Sequence, residues 1–404
     1  MNETPSGERP HIGFFGRRNV GKSSLLNAVA GQEVALVSPV KGTTTDPVRK
    51  AMELLPVGPV MLVDTPGMDD EGELGELRVR RAARELARAD AAVLVADAVS
   101  GLNDEDRKIR ELCAARRLPL ITVYNKCDLA ATFPRAGENE LYVSAARGDN
   151  IETLRDRLAT LLESGELKFR LVGDLLHPAD FAVLVTPIDK AAPEGRLILP
   201  QQQAIRDILE ADATAVVVKE HELRDTLASL GKKPALVITD SQVFAKVSAD
   251  TPEDVPMTSF SILMARYKGM LDAAVAGVKV LDSLEDGDRV LICEGCTHRR
   301  QCDDIGTVKL PRWIRQYTGK KPDFVFASGV EFPERPDALR LIVHCGGCML
   351  TRREMQYRRS LAEMRGVPIT NYGVLIACMQ GILPRVLSVF PYLRETPRTE
   401  RRPG

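Results

Sequence analysis

Ile12-Gly13-Phe14-Phe15-Gly16-Arg17-Arg18-Asn19-Val20-Gly21-Lys22-Ser23-Ser24-Leu25-Leu26-Asn27-Ala28-Val29 is the stretch that decides the fold. A short apolar run leads into GxxxxGKS, and apolar residues at helical spacing follow. The order is strand, glycine-rich loop, helix, the setting in which such a loop holds phosphates. Backbone N–H groups of the loop surround the β-phosphate, and the helix N-terminus adds its positive dipole. Lys22 is expected to bridge phosphates and Ser23 to ligate Mg²⁺, while Gly16, Asn19, Val20, Gly21 and Ser24 line the site. An ordinary glycine-rich turn is the plain alternative, but three further elements follow in the right order.

Val60-Met61-Leu62-Val63 reads as a strand ending at Asp64-Thr65-Pro66-Gly67, which puts a carboxylate beside the Mg²⁺ and Gly67 beside the γ-phosphate. Leu120-Ile121-Thr122-Val123-Tyr124 is another strand, ending in Asn125-Lys126-Cys127-Asp128. Asp128 accepts from the ring N–H and the exocyclic amine of guanine, a donor pair that adenine lacks. GTP or GDP is the expected ligand, with Ser144 and Ala145 in the base-contacting loop. Residues 11 to about 165 thus resemble the translation-factor-like small GTPases, most nearly their potassium-dependent, TrmE-like and Era-like branch. That resemblance makes Gly42-Thr43-Thr44-Thr45-Asp46 a switch with Thr44 on Mg²⁺, and Asn19 a contact to K⁺. The catalytic set is then Lys22, Thr44, Asp64 and Gly67. Met68 stands where Ras-like enzymes hold a water-orienting glutamine. Hydrolysis should therefore be slow, helped by a cation, by a partner or by a carboxylate such as Glu71, Glu73 or Glu76.

At 404 residues the chain exceeds one ordinary core. With 44% hydrophobic and 27% charged residues it has a globular composition, and its apolar runs are too short to span a bilayer. The acidic start, Met1 to Glu8, lacks a secretory pattern, so a cytoplasmic location is expected. In that reducing compartment the eight cysteines read as ligands or buried thiols. A net charge of -1 gives no reason to expect nucleic acid.

Beyond the helical stretch Ile151 to Ser164 a second α/β series begins. Phe181 to Val185, Arg196 to Leu199, Ala215 to Val218 and Ala235 to Ile238 read as strands, between helical runs such as Gln203 to Ala211 and His221 to Leu230. They carry no catalytic constellation, which suggests a dimerisation module. A third unit follows, with a helix running to Leu284 and strands at Arg289 to Ile292, Asp323 to Ala327 and Arg340 to Val343. The fold class is α/β: a P-loop GTPase domain (1–170) followed by two further α/β domains (171–262 and 263–404), the last carrying a metal-cluster site.

Two of these strands run into Cys293-Glu294-Gly295-Cys296-Thr297-His298 and His344-Cys345-Gly346-Gly347-Cys348. Two thiolates of a CxxC pair reach one metal, and the glycines between them permit the tight turn. With Cys296 as third sulfur, zinc or an iron–sulfur cluster is favoured over magnesium or calcium. Cys293 and Cys296 with Cys345 and Cys348 also read as a four-sulfur zinc site. Against that, Cys293 ends a strand whose alternate residues should be buried, and histidines flank both half-sites. Lone Cys113, Cys127 and Cys378 read as packing, as do His177 and His221 as surface groups.

The pattern CxHx(45)HCxxC on Cys296, His298, His344, Cys345 and Cys348 resembles the FeFe-hydrogenase maturation GTPase family, HydF, as do Gly195 to Gln201 and Cys302 to Gly306. The resemblance implies a three-domain homodimer carrying a 4Fe-4S cluster on Cys296, Cys345 and Cys348, with an exchangeable fourth position open to His298 or His344. It implies a scaffold for a transient di-iron precursor, built by the radical-SAM maturases HydE and HydG and received by apo-hydrogenase HydA. Cys293 and Cys302 lie outside the family motif. The alternative is a ribosome- or tRNA-associated GTPase with a structural zinc site, and the absence of a basic-aromatic platform counts against it.

Overall fold

The computed structural model describes residues 6–31, 48–65, 85–130, 132–163, 170–187, 197–295, 304–329, 332–333 and 338–394. Thr44, Gly67, Met68, Cys296 and His298 lie outside the described residues, as do Glu71, Glu73, Glu76 and Cys302. The chain divides into two compact units, Met1–Leu167 and Lys168–Gly404.

In the first unit β1 (His11–Phe15), β2 (Val48–Leu54), β3 (Gly58–Asp64), β4 (Ala91–Asp97), β5 (Leu120–Asn125) and β6 (Glu140–Tyr142) form one sheet, ordered β2-β3-β1-β4-β5-β6. Only the β2–β3 pair is antiparallel. Phe14 and Phe15 show how the strand period of two builds both layers. Phe14 joins Leu25, Leu26, Val93 and Leu154 on one face, and Phe15 joins Leu86, Leu94, Ile109 and Cys113 on the other. β4 is therefore apolar from Ala91 to Ala96, as a parallel strand covered on both faces must be, and ends in Asp97. The ends of β1, β3 and β5 lie on the carboxyl edge of the sheet, where open α/β sheets bind ligands.

The second unit has two parallel sheets, ordered β10-β9-β7-β8 and β12-β11-β13-β14. The first holds β7 (Phe181–Val185), β8 (Thr214–Val218), β9 (Leu236–Thr239) and β10 (Met257–Ser259); the second holds β11 (Arg289–Glu294), β12 (Asp323–Ser328), β13 (Leu341–His344) and β14 (Ile369–Asn371). One apolar core, reaching from Leu171 to Phe390, serves both. Two sequence expectations fail here. Of the run expected as a strand from Arg196 to Leu199, the described residues 197–199 form none: Leu199 opens the helix Leu199–Leu209, with Pro200 in its first turn and Gln201 Oε1 accepting from Ile198 N at 3.1 Å. Proline fits a helix start and not a central strand. The helix expected to run to Leu284 is broken instead into Phe260–Tyr267, Leu271–Gly277 and the 3-10 turn Val278–Ser283, with Gly269 at φ +73 at the first break.

Candidate functional site

The phosphate loop joins β1 to the helix Lys22–Ala30. Gly16 has φ +138, and a Cβ there would lie 2.2 Å from Val95 O, so both its backbone and its space demand glycine. Gly21, at φ +89, forms the N-cap. Asn19 is left-handed too (φ +63), a conformation asparagine tolerates. Lys22 is buried, and its Nζ donates to Gly16 O at 2.9 Å and Arg17 O at 2.6 Å, curled over its own loop. Arg17 pairs with the buried Asp106 at 3.2 Å and donates to Gly101 O, which ties the loop down from outside.

Ser23 Oγ donates to Asp64 Oδ2 at 2.5 Å. Burial pushes the Asp64 carboxyl above its ordinary range, against the lowering pull of Ser23 and Lys22. Its other oxygen, Oδ1, is buried with no hydrogen-bond partner among the described residues. A hydroxyl and an under-satisfied carboxylate side by side suit a hard, oxygen-seeking cation.

Asn125, at the end of β5, holds the base side of the site together. Its Nδ2 donates to Val20 O at 2.9 Å, and its Oδ1 accepts from Ala145 N at 3.0 Å. It thus bridges the phosphate loop and the buried Ser144 turn. Lys126 is left-handed and donates to Asp97 Oδ2 at 2.8 Å. Asp128 Oδ1 is buried and has no hydrogen-bond partner among the described residues, as an acceptor reserved for a base's N–H would be. Asp97, the clamp on Lys126, went unnoticed in the sequence, although it ends an apolar strand as Asp64 does.

In the second unit β11 and β13 are adjacent and parallel, with Cys293 opposite His344. The ladder continues one residue further, Cys345 N donating to Cys293 O at 2.9 Å. Cys345 Sγ accepts N–H bonds from Gly295 at 3.0 Å and Gly347 at 3.4 Å. Amides directed at sulfur stabilise thiolate over thiol and tune a bound cluster. Gly347 has φ +66, and a Cβ on it would meet Met355 Sδ at 2.6 Å, so glycine is required in this turn. Cys345 and Cys348 are half-buried at the rim of the apolar core. These donors fit a soft metal. Among the described residues no three histidine, cysteine or carboxylate side chains converge on one point.

Cys293 is fully buried, and burial pushes its thiol up to about 12. His344 is also fully buried, and both its ring nitrogens lie within hydrogen-bond distance of a partner. Its Nδ1 lies 2.9 Å from Cys345 O and its Nε2 2.9 Å from Arg358 Nη1. Burial, with Arg358 adding to it, lowers its pKa to about 3. Arg358 is itself fully buried, bonded through Nε to Glu354 at 2.7 Å and through Nη2 to Gly329 O at 2.8 Å, over the Phe332 ring. Lys268, another buried cation, donates to Leu350 O at 2.7 Å, just past the turn. The sequence carried a signal for Arg358: it shares one stripe of the helix Arg352–Met364 with Met355, Leu361 and Ala362.

Residues 171–269 match the hydrogen maturase F dimerization domain, and residues 272–389 match the hydrogen maturase F tetramerization domain. The chain belongs to the hydrogen maturase F family. Residues 11–126 match a third model, the 50S ribosome-binding GTPase. This hydrogen maturase F chain is 39% identical over 164 residues to the tRNA modification GTPase MnmE of Nitrosomonas europaea, spanning 39% of this chain and 35% of that protein. It is likewise 39% identical over 152 residues to MnmE of Bordetella petrii, across 37% and 33% of the two chains. It thus spans about a third of the length of the curated relatives it matches. Among solved structures, Era from Aquifex aeolicus shares 21% identity at a TM-score of 0.32, over 52% of this chain and 93% of that one. The G domain of FeoB from T. maritima shares 22% at 0.31, over 38% and 99%.

Proposed function

We propose that this chain is a GTP-hydrolysing scaffold that holds a 4Fe-4S cluster on Cys296, Cys345 and Cys348 and carries a di-iron precursor to apo FeFe-hydrogenase. The observation that carries the reading is the Cys345 turn, where two backbone amides converge on one thiol at the carboxyl edge of β13, in a chain of this family. When bound, the cluster would supply an iron with an exchangeable position, to which the precursor attaches and from which it leaves. The protein's part is to hold the thiolates, exclude bulk water on the core side and keep the turn in shape.

The division of labour follows from that reading. Residues 1–170 bind GTP and Mg²⁺ through Gly16, Val20, Gly21, Lys22, Ser23, Ser24, Asp64 and the 125–128 and 144–145 loops. Thr44 and Gly67 complete the catalytic set, and Asn19 holds K⁺. Residues 171–262 pair two copies, and 263–404 hold the cluster. HydE, HydG and HydA are the partners, in the cytoplasm. No helix among the described residues is long and apolar enough to cross a membrane.

Separating the two sites tests this. Lys22→Ala should abolish GTP hydrolysis and leave iron content intact, while hydrogenase activation in cells falls. Unchanged activation by a variant without GTPase activity would remove the nucleotide from the carrier's work.

A further inference from the structure

We infer that His344 is a positioning residue, a neutral hydrogen-bond link between buried Arg358 and the carbonyl of Cys345, and that the exchangeable iron position belongs to another group. The inference rests on the cluster reading above. A guanidinium only donates, so Nε2 of His344 must be the acceptor at 2.9 Å, which puts the ring proton on Nδ1, facing Cys345 O. Both nitrogens are thereby used.

Freeing Nε2 for iron would strand one arm of a guanidinium that has no exposure to water. A buried charge left without its partner is costly, whereas here each arm of Arg358 is met: Glu354 on Nε, His344 on Nη1 and Gly329 O on Nη2. The backbone adds a second argument. Because the ladder still holds at Cys345 N, strand alternation sends the side chains of His344 and Cys345 to opposite faces. Glu354 is fixed in turn, since its N–H is capped by Thr351 Oγ1 at 3.1 Å in the first turn of its helix. The chain of contacts runs from that helix through Arg358 and His344 to the ligand turn. Lys268 holds the far end of the same turn at Leu350 O.

The test uses full-length protein loaded anaerobically with ferrous iron and sulfide, prepared with and without isotope-labelled histidine. His344→Gln keeps a donor and an acceptor. It should retain near wild-type iron and leave any histidine nitrogen coupling in the pulsed EPR of the reduced cluster unchanged. His344→Leu removes both bonds, and Glu354→Gln with Arg358→Met removes the buried pair. Each should surrender iron to a chelator at least about tenfold faster, the usual scale for losing a support behind a metal ligand. If the paired variant fails to fold, the Gln and Leu variants still decide, because both remove the ring and only Leu removes the hydrogen bonds. Loss of a histidine nitrogen coupling in His344→Gln overturns the inference, as does wild-type iron retention in His344→Leu. Wild-type protein that takes up no iron overturns the cluster reading itself, and this inference with it.

Discussion

At the scale of single residues, Asp128 and Cys293 make opposite use of burial. Asp128 keeps one carboxylate oxygen buried and, among the described residues, unmatched, as suits an acceptor that a ligand's N–H will meet. Asp128→Asn presents a donor to guanine's exocyclic amine, so GTP affinity should fall by about 1.4–2.8 kcal/mol, roughly 10- to 100-fold, and xanthosine nucleotides should bind instead. Titration with both nucleotides checks this, and unchanged GTP affinity would remove the base assignment. Asn19 invites a second comparison. If it holds K⁺, hydrolysis should be faster in potassium than in sodium, and Asn19→Ala should erase that difference; equal wild-type rates would end the idea. The nucleotide residues were legible because each motif fixes spacing and residue type together. Arg358 showed only its place on an apolar helical stripe and Lys268 not even that, because a buried cation's role is readable only through the partners that tertiary structure brings to it.

Secondary-structure elements were legible where pattern and length agree. β1, β3 and β5 hold apolar runs that lead into loops with known chemistry, and they fold as read. The Arg196 to Leu199 run is too short for periodicity to separate strand from helix, and Pro200 decided for a helix start. The long helix failed at Gly269, where Lys268 turns inward to cap Leu350 O and the chain leaves helical geometry. Positions that fix the loops between elements should be intolerant. Gly16→Ala brings a Cβ against Val95 O in a left-handed backbone and should destabilise the first unit by roughly 2–4 kcal/mol. Denaturant unfolding of that variant without nucleotide measures it, and a wild-type midpoint would show that the loop relaxes freely.

For the whole molecule, each unit is built around its own sheets, and among the described residues β8 and β12 each end a sheet of the second unit with no further strand beside them. β8 is the edge of its sheet and exposes Val217 at 42%, and β12 is the edge of the other and exposes Phe326 at 38%. Apolar residues on open edges invite a second strand, and lysine there prevents pairing. Val217→Lys should change the stability of the unit by no more than about 0.5 kcal/mol while shifting the protein toward monomer in light scattering. An unchanged mass would place the dimer contact elsewhere. The central claim concerns the metal. It is tested most directly by metal analysis and visible spectra of anaerobically reconstituted wild-type, Cys345→Ser and Cys293→Ser proteins. The account predicts a brown, iron-loaded wild type, loss of most iron in Cys345→Ser and retention in Cys293→Ser, whose buried thiol is no ligand. Stoichiometric zinc without iron, released by Cys293→Ser, would contradict it.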